Sequence, residues 1–493
     1  MGRRDALLRL SIMAALLLGG AMAPVFAADV KNLSVTVSSG TQANAYGGYT
    51  IEEGASALQN ALTLSGPAKV LGASAGGWSR WGNAEWNTLT IRLDEDGLLG
   101  PSDIVGGGVA ESEGGGAAVH NTVYIESGTV EGTVEGGVAV GINGVGDGTG
   151  DVLSNQVTMS GGTIYSVFGG ETGEGNANDN VVTIKGSAAV TGKSNVVYGG
   201  YTIDGNASGN IVNIEDDADI HGEIMGGYTR AGSLISGNKV NVTGGNVNEN
   251  TVYGVYTAYG DVLDNQAVIK GTGQAGSSDT NSVYAGFTNI GAAAGNILYI
   301  QDSAEIAGSA FAGYQGGFIS SETVERNQVF MSGGSVGGDL TGGGSNNGGE
   351  TLNNYVEITG GTVSGNVYSG FTDSADALEN TLTVAGGRVE GSLFGGYSNT
   401  GTANENKLTF SAGTAGSDAY GGYAQEGADG NEAVLSGTSV LEGNAAGGSS
   451  ARGEASGNSL TIKENSDVKG DAAGGDVYMG TISKNIITIQ YNA

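Results

Sequence analysis

Few residues in this chain are of types that do chemistry. The only histidines are His120 and His221, and neither sits at the spacing of a metal-binding motif. There is no cysteine, so thiol chemistry and disulfide staples are both excluded. No GxSxG elbow, HExxH or P-loop occurs, and a serine triad would lack its base. Carboxylates are the remaining material. Asp94, Glu95 and Asp96 are consecutive, and Asp216, Asp217 and Asp219 form a second cluster. Paired carboxylates on an exposed face could hydrolyse or cleave a polysaccharide, whereas the plainer reading of both clusters is a solvated turn. Asp147 and Asp151 lie in a glycine-rich stretch, GVGDGTGD, with oxygen ligands at a density that suits calcium. That stretch matches neither the EF-hand spacing nor a nonapeptide repeat, so a plain loop competes with the calcium reading, and no cofactor is called for. All three tryptophans fall within WSRWGNAEW. Trp81 and Trp86 could stack on sugar rings, or they could shield the end of a core.

The elements that must position these groups come from a repeat. Asn-x-apolar-x-apolar recurs at Asn60, Asn87, Asn121, Asn155, Asn180, Asn210, Asn238 and Asn265. It continues at Asn296, Asn327, Asn354, Asn380, Asn406, Asn431, Asn458 and Asn485. The mean spacing is about 28 residues, and a further copy at Asn32 fits only with a one-residue slip. Each unit holds short apolar segments with the period of strands, ending in Gly, Asn or Ser. Such segments cannot bury a face alone; stacked, they share one core. The fold expected is all-β: a single parallel β-helix of about 16 turns and roughly three faces per turn. Its hand should be right, by the crossover preference of parallel strands. The asparagines are expected at a corner, in a left-handed backbone conformation, with their amides laddered from turn to turn. The Gly-Gly pairs are expected to bend a second corner. The aromatic after each pair (Tyr49, Trp78, Tyr201, Tyr228, Tyr256, Phe287, Tyr314, Phe371, Tyr397, Tyr423) should form a column. The unit from Asn121 carries the longest insertion, VAVGINGVGDGTGDVLS, and insertions in solenoids are common places for function.

The first residues read as a secretory leader. Arg3, Arg4 and Arg9 precede an apolar run from Leu10 to Ala23, and Val25-Phe26-Ala27 offers a cleavage site after Ala27. The run is too short to span a bilayer. The formal net charge of −32 repels nucleic acid and anionic lipid, so neither is expected as a partner.

A leader followed by GGYT…GxAxxN-x-V-x-I units, as in 199–214 and 395–410, resembles the passenger region of bacterial autotransporters, the type V secretion proteins. The resemblance covers most of residues 45–493. It implies Gram-negative export, display at the outer membrane or release outside the cell, and adhesion to host or bacterial surface glycans or proteins, or self-association. It also implies an outer-membrane β-barrel. The sequence ends NIITIQYNA within another repeat and contains no barrel strands of the usual kind, so a truncated passenger or a barrel supplied in trans is expected. The function expected is a non-enzymatic adhesin or self-associating passenger, the alternative being a β-helix polysaccharide hydrolase or lyase.

Overall fold

The computed structural model describes residues 29–490, except 101–103, 112–114, 142–147, 192–194, 249, 277–282, 318–320 and 347. Residues 1–27, read from the sequence as a leader, and Asp147 lie outside the described residues. The described residues contain strands, turns and bends and no helix, and the chain is a parallel β-solenoid of about 16 turns. It divides into two compact units, Met1–Gly232 and Ser233–Ala493.

One turn of the first unit shows how the sequence makes the fold. Ala61–Gly66 follows the anchor Asn60, Lys69–Val70 follows a glycine turn, Ser74–Ser79 carries the Gly pair, and Ala84–Glu85 precedes the next anchor. Each pairs in parallel with its equivalent one turn on: Leu62 with Leu89, Val70 with Leu99, Gly77 with Gly108 and Ala84 with Ala118. Alternate residues of the post-anchor strand point inward, and like stacks on like. Leu62 and Leu64, Leu89 and Ile91, and Val123 and Ile125 are all fully buried. The same pattern recurs in the second unit, with Leu382 and Val384 over Leu408 and Phe410. The two-residue strands before the anchors form a six-stranded sheet in the first unit and a seven-stranded one in the second.

Two expectations about corners are corrected. The residue in left-handed conformation is the one before each anchor: Gln59, Trp86, His120, Ser154 and Asp179 in the first unit, and Asp264, Arg326, Asn353, Glu379, Glu405 and Lys484 in the second. Glycine takes the same place at Gly209, Gly237, Gly295, Gly430 and Gly457. This resolves the slip near the start. Asn32 (φ 57°) holds the corner, and Leu33 stands where later turns have asparagine. The second correction concerns the Gly pairs, which lie inside a strand and not at a bend, as in Ala45–Thr50 and Leu393–Ser398.

What crosses the Gly pair explains it. A Cβ on Gly48 would stand 2.4 Å from Cγ of Asn60, and one on Gly396 would stand 2.3 Å from Cγ of Asn406. A Cβ on the first glycine would strike backbone, at 2.3 Å for Gly47 against the Gly76 carbonyl and for Gly395 against that of Gly421. The strand is therefore bare because the anchor amide packs flat against it. That amide is buried and doubly used. In the first unit the Asn60 N–H and Nδ2 donate to Asn87 Oδ1 at 2.9 and 3.1 Å, and Nδ2 also donates to the Val30 carbonyl at 2.9 Å. The pattern repeats down to Asn210, and in the second unit it runs unbroken from Asn238 to Asn485. The threonine of Gly-Gly-aromatic-Thr closes the motif: Thr202 Oγ1 donates to the Gly175 carbonyl at 2.8 Å and accepts from the Gly205 N–H.

Candidate functional site

With the asparagines packed on its inner side, the Gly-pair strand presents its other side outward. In each unit the aromatic after the pair stands on that side, in the register expected: Tyr49 beside Trp78, Tyr201 beside Tyr228, and Phe371 beside Tyr397 beside Tyr423. A second column, missed in the sequence, stands three residues earlier. It holds Tyr46, Phe168 and Tyr198 in the first unit, and Tyr253, Tyr284, Phe311, Tyr368, Phe394 and Tyr420 in the second. Strict alternation would put residues three apart on opposite faces. Here the pairing skips a glycine between them, so both rings emerge on one side, and Tyr46 stacks on Tyr49 at 5.0 Å. The signal was available as aromatic-Gly-Gly-aromatic in AYGGY, VYGGY and LFGGY.

Rings follow rings along each column. Tyr201 and Tyr228 stack at 5.0 Å and 4°, Tyr256 and Phe287 at 5.1 Å and 9°, and Tyr397 and Tyr423 at 5.3 Å and 10°. Such near-parallel stacks cover ring faces and leave edges toward solvent. In the second unit those edges carry polar groups. Tyr420 donates its hydroxyl to Asp418 at 3.2 Å, Asn289 Nδ2 donates to the Tyr256 hydroxyl at 3.1 Å, and the charge of Asp373 bears on both Tyr314 and Tyr397. Burial foremost, with the charges of Asp373, Asp339 and Asp418 respectively adding to it, pushes the Tyr314, Tyr368 and Tyr420 hydroxyls well above the usual phenol range. They stay protonated and able to donate.

The columns are interrupted. Gly344 breaks one in the second unit, and Tyr314 leans toward the gap, tilted 30° from Phe287. In the first unit two of the breaks are acidic. Glu135 takes the place between Gly106 and Phe168 in the earlier column, and Glu171 the place between Val138 and Tyr201 in the later one. Glu135 is 1% exposed and accepts a hydrogen bond from the Val105 N–H at 3.1 Å. Burial pushes the Glu171 carboxyl up to about 7. Neither stood out in the sequence, although VEGGV and VFGGE place both in the aromatic slots of the motif.

The residues singled out from the sequence are dispersed. Asp94, Glu95 and Asp96 form an exposed turn in which the Asp96 N–H donates to Asp94 Oδ1 at 3.0 Å. Asp216 and Asp217 are exposed at a corner of another turn, where Asp216 accepts from the Gly186 N–H. His221 meets Asp219 at 3.0 Å, both about half exposed. His120 is at the left-handed corner and stacks on Trp86 of the preceding turn at 4.2 Å. Trp86 is 55% exposed, Trp81 lies under the Arg80 guanidinium at 5.9 Å, and Trp78 is buried in the column. Asp151 Oδ1 accepts from the Asn176 N–H and amide at 2.8 and 3.1 Å, a corner bond between turns. No group of three or more metal-ligating side chains exists among the described residues.

Comparison of the chain with protein-family models, with characterised proteins and with solved structures finds no match to any of them.

Proposed function

We propose that this is an exported, surface-displayed or released adhesin or self-associating protein, passenger-like in the type V sense and without enzymatic activity. The observation that carries the reading is the aromatic face of the second unit. Half-buried tyrosines with hydroxyls directed at Asp418 and Asn289 are amphipathic, and such side chains supply large contact area at low entropic cost. Repetition turn by turn adds weak contacts through multivalency. Neutral surface glycans, or protein surfaces rich in hydroxyl and amide groups, are the partners that this face suits.

The test is attachment and clumping of cells displaying the full chain, measured against salt and against immobilised neutral glycans. Screening of a net charge of −32 should strengthen self-association as salt rises. Changing Tyr368, Tyr397 and Tyr420 together to Ala should abolish attachment while circular dichroism remains that of a β-solenoid. A second reading, a polysaccharide hydrolase or lyase, is favoured by one observation, the raised carboxyl of Glu171 on the same outward side as Glu135. The enclosure of Glu135 weighs against it. Polysaccharide turnover lost in Glu171→Gln, with no clumping or attachment at any salt, would establish that reading instead.

A further inference from the structure

The relation between Glu135 and Glu171 recurs elsewhere on the same face. One is in the earlier column of its turn, the other in the later column of the next turn. Side chains so related touch at other places where both are rings. Tyr46 and Trp78 are 5.4 Å apart, Tyr198 and Tyr228 5.7 Å, Tyr253 and Phe287 5.6 Å, and Tyr368 and Tyr397 5.5 Å. The backbone slots that elsewhere bring two rings together here hold two glutamates. We propose that Glu135 and Glu171 share a proton, so that this face of the first unit is tight in mild acid and loosens when that proton leaves.

Three observations support the assignment. Glu135 reaches across Gly106, where no side chain occupies the column, and its Oε2 is held by the Val105 N–H, which favours an ionised carboxylate. Glu171 is the partner whose neutral form is favoured, since burial raises its carboxyl to about 7. Two carboxyls held in such neighbouring slots, one of them buried, would not both ionise without cost. The titratable and charged groups facing the pair among the described residues are few. On the preceding turn Glu111 lies 4.0 Å from Arg80. On the following turns stand Tyr198 and Tyr201, with Glu223 bearing on the first and Arg230, paired to Asp204, on the second. Arg80 and Arg230 thus each have a carboxylate of their own.

The consequence reaches the backbone directly after Glu171. Thr172 Oγ1 donates to the Gly148 and Gly150 carbonyls at 3.0 and 2.9 Å, and the Gly173 and Glu174 N–H groups donate to the Gly148 carbonyl at 3.1 and 2.6 Å. The folded state keeps its proton up to about pH 7, while the unfolded chain loses it near 4.5. The stabilisation is complete below the lower value, declines between the two, and is absent above about 7.

The test uses the full chain, its Glu171→Gln and Glu135→Gln variants, and amide exchange at residues 172–174 corrected for intrinsic rate. In the wild type, protection at these amides should fall by about ten-fold or more between pH 5 and pH 7.5. Glu171→Gln should keep the acid-state protection throughout. The infrared carbonyl stretch of a protonated glutamate, persisting in the wild type above pH 6, lost in Glu171→Gln and titrating at lower pH in Glu135→Gln, reads the shared proton without requiring equal stability of the variants. Protection that falls equally in the wild type and in Glu171→Gln, or absence of any protonated carboxyl above pH 6, overturns the proposal.

Discussion

The inner and outer sides of the Gly-pair strand obey different rules. On the inner side the turns of the second unit repeat the same amide ladder, with Asn265, Asn296 and Asn327 bonded at 2.9–3.1 Å. On the outer side the equivalent places hold tyrosine, phenylalanine, glycine and serine in the second unit, and valine and glutamate as well in the first. Buried amides tolerate no change because each is both donor and acceptor and has no water to turn to. The outer rings contribute stacking and partial burial, which can be lost at one turn without disturbing the next. Register is thus held on the inside, leaving the outside free to vary.

Replacing Asn354 with Ala should break that arrangement most severely. It removes the acceptor for the Asn327 N–H and Nδ2 and the donor to the Val324 carbonyl. At about 1–3 kcal/mol for each group left buried and unsatisfied, the second unit should lose at least about 3 kcal/mol, read by denaturant unfolding. A loss below about 1 kcal/mol would mean that the ladder does not hold the register.

Tyr397→Ala, on the outer side of the same unit, removes stacking on Phe371 at 5.5 Å and on Tyr423 at 5.3 Å. The expected cost is smaller, about 1–2 kcal/mol, from two ring pairs and half-buried area. If it equals the Asn354→Ala cost, the two sides are not different in kind.

The smallest effect should come from mending a column. Gly344→Tyr restores a ring between Tyr314 and Phe371, and its Cβ would meet Tyr314 Cδ2 at 2.9 Å, so that ring must swing back upright. Stacking gained against rotamer freedom lost should leave about 1 kcal/mol or less of net stabilisation. Ring-current shifts of Tyr314 would report the realignment, and destabilisation would show that the gap is built for the lean.

The recurrence of Asn-x-apolar-x-apolar made the fold legible, because a buried ladder admits one residue type and therefore leaves an unvarying mark. The apolar alternation of TLTV and KLTF likewise named the inward residues. The Gly pair was misread because its cause lies across the turn, in Asn60 or Asn406, and local sequence offers bending as the simpler reason. The earlier aromatic column was hidden because three-residue spacing contradicts alternation until the skipped pairing is known. The carboxyl pair escaped for a different reason: Glu135 and Glu171 are 36 residues apart and take neighbouring slots only through register. Asp94 and Asp216, clustered in sequence, proved to be solvated corners.

The left-handed corner before each anchor has an evolutionary consequence. Its backbone is dictated by the turn, yet the side chain there is Gln59, Trp86, His120, Ser154, Asp179, Arg326, Glu379 or Lys484, covering acid, base, amide, hydroxyl, indole and imidazole. Within each unit the corner recurs once per turn, at strand spacing of about 4.8 Å. It therefore works as a line of type: a fixed slot per turn into which any letter can be set without recasting the page. Lineages of this chain could alter what a partner or an antibody reads along that line by single substitutions, each nearly neutral for folding.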